Sequence, residues 1–158
     1  RDLHIDERSL ASNLRAVISQ RLVRRLCPKC KQANPPSDDE KAEFESAAMK
    51  VPKLVFSAVG CDQCKGSGYL DRIGVYEVVE NSAEIASAIQ NGVAESELRK
   101  LFRRCEIANL ATDGLRKVAD GITDFDELSR MAWVAPASSK RGIEDGASAG
   151  EPPVFWEI

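Results

Sequence analysis

Apolar residues near the start of the chain recur at steps of three and four positions. Between residues 9 and 26 they are Leu10, Leu14, Val17, Ile18, Leu22, Val23 and Leu26. Positions three and four apart share one face of a helix, so this period predicts an amphipathic helix over residues 9–26. Asp6 or Ser9 is expected to cap this helix, and Pro28 is expected to end it.

Three arginines, Arg21, Arg24 and Arg25, fall in the last two turns of this predicted helix. Cations there complement the negative end of the helix dipole, which favours an electrostatic role on a solvated face. A contact with a subunit or with a bound phosphate is the functional alternative.

The segment that follows combines turn signals with short periodic runs. Residues 34–36 form an Asn-Pro-Pro turn, and the acidic residues behind Ser37 suit a helix N-terminus. We therefore predict a helix over residues 38–49 that is broken by Pro52. The apolar run at 54–56 then predicts a short strand.

A glycine-rich turn comes before a run of alternating residues. Gly66 and Gly68 permit the positive φ of a tight turn. Residues 69–70 and 73–79 then predict the two arms of a hairpin. We expect a small antiparallel sheet at this point of the chain.

From residue 81 onward the pattern is helical. Asn81 with Glu84 resembles a capping box, which opens a helix that runs to Gln90 and stops at Gly92. Three further apolar stripes predict three more helices. Their members are Leu98, Leu101, Phe102 and Cys105; Leu110, Leu115 and Val118; and Phe125, Leu128, Met131 and Trp133.

The third of these helices is expected to end at Gly121, and Thr123 is expected to cap the fourth. Together the four helices predict a small helical bundle over residues 81–133. The fold class is therefore predicted as α+β: a cysteine-bearing module with a small antiparallel hairpin, followed by this bundle.

Residues 135–153 are rich in Ala, Ser and Gly and have no apolar period, which predicts a flexible tail over residues 134–158. The tail ends in Val154-Phe155-Trp156-Glu157-Ile158, which is strongly apolar. This end either folds back onto the domain, is a remnant without a role, or docks onto another protein.

Composition narrows the functional classes. The 158 residues are 43% hydrophobic and 30% charged, which suits one globular domain or two small ones. A net charge of −3 gives no electrostatic reason to expect nucleic acid or an anionic membrane as partner. No apolar run approaches the roughly 20 residues needed to span a bilayer, and the N-terminus has no signal-peptide pattern, so we expect a soluble chain. Because the first residue is Arg1, we also expect an excised piece of a longer protein.

Four of the five cysteines form two Cys-x-x-Cys pairs, Cys27 with Cys30 and Cys61 with Cys64. Four thiolates complete a tetrahedral shell, so the pairs predict a structural Zn²⁺ site with these four residues as ligands. Disulfides and free core thiols remain the alternatives. The odd cysteine count favours a reducing, cytoplasmic compartment over a disulfide scaffold.

The remaining candidate ligands are given structural roles. His4 is the only histidine and lies far upstream, so we predict a surface position for it. Cys105 lies on an apolar helical stripe. We therefore predict a buried core thiol there rather than a nucleophile or a fifth ligand.

Several segments together resemble the C-terminal region of the ATPases that power type II secretion and type IV pilus assembly. They are SQRLVRRLCPKC at 19–30, AVGCDQCKGSGY at 58–69, RIGVYEVV at 72–79, DGLRKV at 113–118, GIT at 121–123 and DEL at 126–128. One departure is Asp71, which stands where this family usually has glycine. Another is that the chain has no Gly-x-x-x-x-Gly-Lys-Ser/Thr phosphate loop.

The resemblance implies that ATP and Mg²⁺ bind only in a preceding domain, so this piece is not an ATPase by itself. It implies a hexameric ring in the complete protein, with the ATPase domain and neighbouring protomers as partners. A further implied partner is the inner-membrane assembly platform, which places the protein in the cytoplasm, peripheral to the inner membrane. No nucleic-acid partner is implied.

With the resemblance, the chain divides into four expected parts. Residues 1–26 are a helix continuing from the missing ATPase domain, 27–80 a zinc-binding module, 81–133 a helical subdomain, and 134–158 the tail. The leading hypothesis is a structural and coupling module that passes ATP-driven motion through the helix to a rigid zinc arm.

Three other functional classes are alternatives to this hypothesis. Cys61-x-x-Cys64-x-Gly66-x-Gly68 matches one unit of the zinc repeat of DnaJ-type chaperones, which bind unfolded chains, but the first cysteine pair lacks those glycines. A zinc-ribbon nucleic-acid binder conflicts with the acidic charge balance. A zinc enzyme is disfavoured because four thiolates leave no open position for water.

Overall fold

The computed structural model describes residues 6–130, so His4 and the predicted tail lie outside the described residues. Six helices and four strands follow in the order α1 (Glu7–Asn13), β1 (Ala16–Leu26), β2 (Gln32–Asn34), α2 (Asp38–Ser46), β3 (Val55–Ser57), β4 (Tyr69–Glu80), α3 (Ala83–Gln90), α4 (Glu95–Arg104), α5 (Leu110–Ala119) and α6 (Phe125–Ser129). The α+β class is confirmed.

The helix predicted over residues 9–26 is wrong for most of its length. Only α1 is helical, and β1 pairs antiparallel with β4 from Ala16 opposite Glu80 to Leu26 opposite Tyr69. Its Val and Ile residues are stiff at χ1 and suit a strand, and the distant β4 satisfies the backbone groups on one edge. The arginines of β1 therefore complement no helix dipole.

The antiparallel sheet predicted beside the second cysteine pair is present, but its strands differ from the prediction. Residues predicted as the two arms of a hairpin form the single strand β4, and its partner is β1. Asp71 has a φ of 74°, the left-handed conformation that glycine adopts readily, and its own carboxylate accepts a hydrogen bond from the Arg72 N–H at 2.9 Å. The departure from the family's glycine thus keeps a positive φ at this position.

The segment between the cysteine pairs is structured much as predicted. Ser37 caps α2 with a complete capping box, since its hydroxyl accepts from the Glu40 N–H and the Glu40 carboxylate accepts from the Ser37 N–H. The helix ends at Ser46, earlier than the expected 49. The predicted strand is β3, and it pairs with β2.

The helices after residue 81 are confirmed, with two caps displaced. Ser82 rather than Asn81 caps α3, while the Asn81 side-chain amide donates to the carbonyls of Ala11 and Leu14. Asp124 rather than Thr123 caps α6. In both cases the predicted cap is instead engaged with a segment distant in sequence.

The four helices divide between two hydrophobic clusters rather than forming one bundle. The larger cluster lies between the two-stranded β1–β4 sheet, which we call the ribbon, and the helices α2, α5 and α6. It contains Val23, Phe44, Val55, Val75, Leu115, Val118 and Leu128. The smaller contains Val79, Ile85 and Leu101, from β4, α3 and α4. Among residues 6–130 no helix combines the length and apolar composition needed to cross a membrane.

Cys105 is exposed, so its prediction as a buried core thiol is wrong. α4 ends at Arg104, and Cys105 is its C-cap. Beyond the end of the helix the spacing of its stripe no longer fixes which face a residue occupies. Ile107, two residues later, packs against the smaller cluster instead.

Candidate metal centre

The sheets bring the two cysteine pairs together. Cys27 follows β1 directly, Cys64 lies five residues before β4, and the Cys27 N–H donates to the Gly68 carbonyl at 2.9 Å. The ligand atoms of the four cysteines all lie within 4.8 Å of one another. Residues 34 positions apart in sequence thus form one cluster at the end of the β1–β4 ribbon.

The sulfur spacing fits a four-thiolate metal shell. The Sγ atoms of Cys27 and Cys61 are 3.9 Å apart, those of Cys30 and Cys64 3.8 Å, and those of Cys61 and Cys64 3.7 Å. Sulfurs placed tetrahedrally about Zn²⁺ at about 2.3 Å stand about 3.8 Å from one another. A disulfide needs about 2.05 Å, and all four cysteines are free.

We call the segments that carry the two cysteine pairs the first knuckle (residues 27–30) and the second knuckle (residues 60–68). Backbone N–H groups of the second knuckle point at the sulfurs. Gly60 donates to the Cys30 Sγ at 3.3 Å, and Cys61 and Gly68 donate to the Cys64 Sγ at 3.1 and 3.2 Å. These bonds favour thiolates, the form that binds metal.

Two glycines of this knuckle have no room for a side chain. Gly60 has a φ of 116°, and a Cβ added there would lie 2.6 Å from the Gly66 carbonyl oxygen. Gly68 has a φ of 76°, and a Cβ there would lie 2.6 Å from the Ala58 Cβ. Gly60 and Gly68 are therefore required both by the close packing of the loop and by their positive φ.

The surroundings of Cys30 and Cys64 shift the pKa values of their thiols in opposite directions. Burial disfavours the Cys64 thiolate, but the N–H groups of Cys61 and Gly68 and the neighbouring thiols outweigh it and lower the pKa of Cys64 to about 6. At Cys30 burial outweighs the Gly60 N–H and raises the pKa of the thiol to about 11. One cysteine is therefore predisposed to ionise, and a bound cation is needed for the cluster to hold four thiolates.

Residues 121–127, which we term the closing clamp, fasten this centre to α5 and α6. The Leu26 N–H donates to the Ile122 carbonyl at 2.8 Å, and the Lys31 Nζ donates to the Gly121 carbonyl at 2.7 Å. The closing clamp thereby contacts the chain immediately before Cys27 and immediately after Cys30.

Asp124 is the most connected residue of the closing clamp. It is 4% exposed, and its carboxylate accepts from the Tyr69 hydroxyl at 2.7 Å, the Ala58 N–H at 3.2 Å and the Glu127 N–H at 3.0 Å. Burial, together with this carboxylate, raises the pKa of Tyr69 and keeps its hydroxyl a donor. Asp124 thus ties both flanks of the second cysteine pair to the start of α6.

Glu127 connects the closing clamp to β1 through Arg24. Its carboxylate accepts from the Arg24 N–H at 2.9 Å and from the Arg24 Nε and Nη2 at 2.8 and 2.5 Å. The Arg24 guanidinium also lies 3.9 Å from the centroid of the Tyr69 ring. Thr123, fully buried, donates its hydroxyl to the Arg24 carbonyl at 2.9 Å.

Sequence reasoning included most of the closing clamp in the family resemblance but gave it only capping roles. The available signal was the pair Asp124 and Glu127, which lie three positions apart in a segment of mixed polar and apolar residues. Nothing local showed that their partners are Tyr69 and Arg24, which lie 55 and 103 residues away.

The Arg24–Glu127 pair predicts a specific acid sensitivity. Hydrogen bonding from Arg24 holds the pKa of Glu127 below its usual range, so the stability that this pair contributes is present above about pH 4.3 and is lost as pH falls through the lowered pKa. Replacing Glu127 with Gln should therefore destabilise the chain at pH 7, and the gap from the parent should narrow from pH 5 to pH 3. Urea titrations at each pH measure the gap, and parallel pH curves would contradict the assignment.

Comparisons with known proteins identify relatives that match most of this chain. A family model described as "Type II/IV secretion system protein" matches residues 1–130. The putative type II secretion system protein E of Escherichia coli K12 is 38% identical over 132 residues, covering 84% of this chain and 26% of that protein.

Two further relatives come from other bacteria. The type II secretion system ATPase E of Vibrio cholerae is 33% identical over 131 residues, covering 83% of this chain and 26% of the relative. The type IV pilus assembly ATPase TfpB of Acinetobacter baylyi is 31% identical over 134 residues, covering 82% and 22%. This chain spans about a quarter of the length of these relatives.

Proposed function

Because this chain belongs to the type II/IV secretion system protein family, we propose that it is the metal-stapled structural and coupling module of a secretion or pilus-assembly ATPase. Relatives at 33% and 31% identity are named as ATPases of the two systems. The complete motor would bind ATP and Mg²⁺ in the part beyond this chain and act as a hexameric ring. It would work at the cytoplasmic face of the inner membrane, against the assembly platform there.

The metal that fits the site is Zn²⁺, held by Cys27, Cys30, Cys61 and Cys64. When bound, it supplies charge neutralisation and crosslinks two knuckles that are 34 residues apart. Four protein ligands leave no position for a water nucleophile, so the role is structural. The knuckle N–H groups orient the sulfurs before metal arrives.

The observation that carries the coupling proposal is the closing clamp. It joins β1, both knuckles and the start of β4 to α5 and α6 through partly buried hydrogen bonds. A displacement of β1 would therefore move the cysteine centre and the helices together rather than bend the chain between them. Coupling between distant sites can be carried by hydrogen-bonded networks and rigid elements of this kind.

The test uses a complete motor that carries this region. Cys61→Ser should abolish zinc binding by the arm while ring mass and ATP hydrolysis are kept, and secretion or pilus assembly should fall by about tenfold or more. Cys105→Ser, at an exposed thiol outside the cluster, is the matched control. Unchanged secretion in a Cys61→Ser motor that has lost its zinc would refute the coupling role.

A further inference from the structure

The four clustered cysteines differ in how deeply they are buried. Within residues 6–130, Cys27 and Cys64 are 0% and 5% exposed, whereas Cys30 and Cys61 are half-buried. Each knuckle thus holds one thiol in the interior and one closer to the surface. A small oxidant dissolved in water therefore meets Cys30 or Cys61 before it meets their partners.

The second knuckle places another sulfur directly beside the half-buried Cys61. The Sγ atoms of Cys61 and Cys64 are 3.7 Å apart, and the Cys61 N–H donates to the Cys64 Sγ at 3.1 Å. A disulfide has an S–S length of about 2.05 Å, so the two sulfurs need to approach by only about 1.7 Å. The two-residue spacer already folds these side chains toward each other.

A disulfide between the two knuckles meets more resistance, because the closing clamp anchors each knuckle separately. The Leu26 N–H, just before the first knuckle, donates to the Ile122 carbonyl. The Ala58 N–H, just before the second knuckle, donates to the Asp124 carboxylate. A disulfide across the knuckles would pull these two anchored segments together, whereas one inside the second knuckle needs movement only within residues 61–64.

We propose that hydrogen peroxide oxidises Cys61 and Cys64 to a disulfide, and that this oxidation releases the metal and makes the cysteine centre a redox-sensitive switch. The inference rests on the proposed metal role. A disulfide lacks the thiolate charge that binds Zn²⁺, so two of the four ligands are lost. The knuckles then keep only hydrogen bonds between them, such as that from the Cys27 N–H to the Gly68 carbonyl. Coupling through the centre is weakened until a thiol reductant restores both thiols.

The oxidation balances with hydrogen peroxide as the oxidant. The Cys61 thiolate attacks a peroxide oxygen, so an S–O bond forms, the O–O bond breaks and hydroxide leaves, which gives a sulfenic acid. The Cys64 thiolate then attacks the Cys61 sulfur, so the S–S bond forms and the S–O bond breaks with loss of a second hydroxide. Two electrons pass from the sulfurs to peroxide, and two protons from solvent convert the hydroxides to water.

The 158-residue chain carrying Cys105→Ser tests this step, since that replacement removes the exposed thiol outside the cluster. Hydrogen peroxide should release one zinc for each disulfide formed, with one rate constant for both events. A thiol reductant with added Zn²⁺ should reverse them. Trypsin cleavage gives the peptide 54–65, which contains both cysteines of the second knuckle and should lose two hydrogen atoms. In Cys64→Ser the reaction should stop at a Cys61 sulfenic acid, which dimedone traps.

The results that would overturn this inference are distinguishable from failure of the metal role. Zinc retained beside intact thiols, or a disulfide that joins peptide 54–65 to the first knuckle, would overturn the Cys61–Cys64 assignment while the metal role stands. Reduced protein that contains no zinc would overturn the metal role and the release together. The purified complete motor should release zinc in the same way, and zinc that peroxide fails to release there would overturn the switch.

Discussion

Replacing Cys64 with serine is expected to abolish the proposed zinc binding and to lower the thermal unfolding midpoint by about 10 °C. Metal bound only by the folded state adds its binding free energy to folding, about 4 kcal/mol when its concentration is a thousand times the dissociation constant. For a chain of this length each kcal/mol shifts the midpoint by about 2–4 °C. Cys64 is buried and accepts two backbone N–H bonds, so serine also leaves a poorly matched acceptor.

The measurement combines metal analysis of purified protein with melting curves, with and without a strong chelator. Cys105→Ser should keep one zinc per chain and the parent's midpoint, because Cys105 is exposed and outside the cluster. The chelator should lower the midpoints of the parent and of Cys105→Ser and leave that of Cys64→Ser unchanged. Parent protein that contains no metal, and whose midpoint the chelator does not change, would show that packing alone holds the knuckles. The proposed structural role of zinc would then be wrong.

Asp124→Ala should be the most damaging change in the closing clamp, at about 3–7 kcal/mol. It removes the cap of α6, which costs about 1 kcal/mol. It also leaves the buried Tyr69 hydroxyl and the Ala58 N–H without their acceptor, at about 1–3 kcal/mol each. Burial and the Asp124 carboxylate raise the pKa of Tyr69, so the variant should also let this hydroxyl titrate at lower pH.

Urea denaturation at neutral pH measures the stability loss, and the ultraviolet titration of Tyr69 in a Tyr76→Phe background measures its pKa. Asp126→Ala is the control, because Asp126 is exposed in the first turn of the same helix and contacts neither knuckle. It should cost only about 0.5 kcal/mol through the helix dipole. Equal losses in the two variants would mean that Asp124 acts as a local cap alone and that the closing clamp does not hold the knuckles.

Features that depend on near neighbours in sequence were predicted well. The capped helix α2 and the helices after residue 81 follow from side chains three and four positions apart. The four-cysteine cluster follows from a two-residue spacer that lets each pair reach one ion. Membership of the secretion family was also predicted from the sequence, because the family's motifs surround these cysteines. Zinc itself, its four ligands and the division into parts stay predictions.

Sequence patterns alone were thus enough to predict the clustering of the four cysteines, the helices between residues 83 and 129, and the family. Only the tertiary structure decided that β1 is a strand, that its partner is β4, that Cys105 is exposed and that residues 121–127 clamp the knuckles. Each of these depends on groups far away in sequence: a strand partner that satisfies one edge of β1, or the buried acceptors that Arg24 and Tyr69 require. Local periodicity carries no information about such partners, and their hydrogen bonds outweigh intrinsic helix preference.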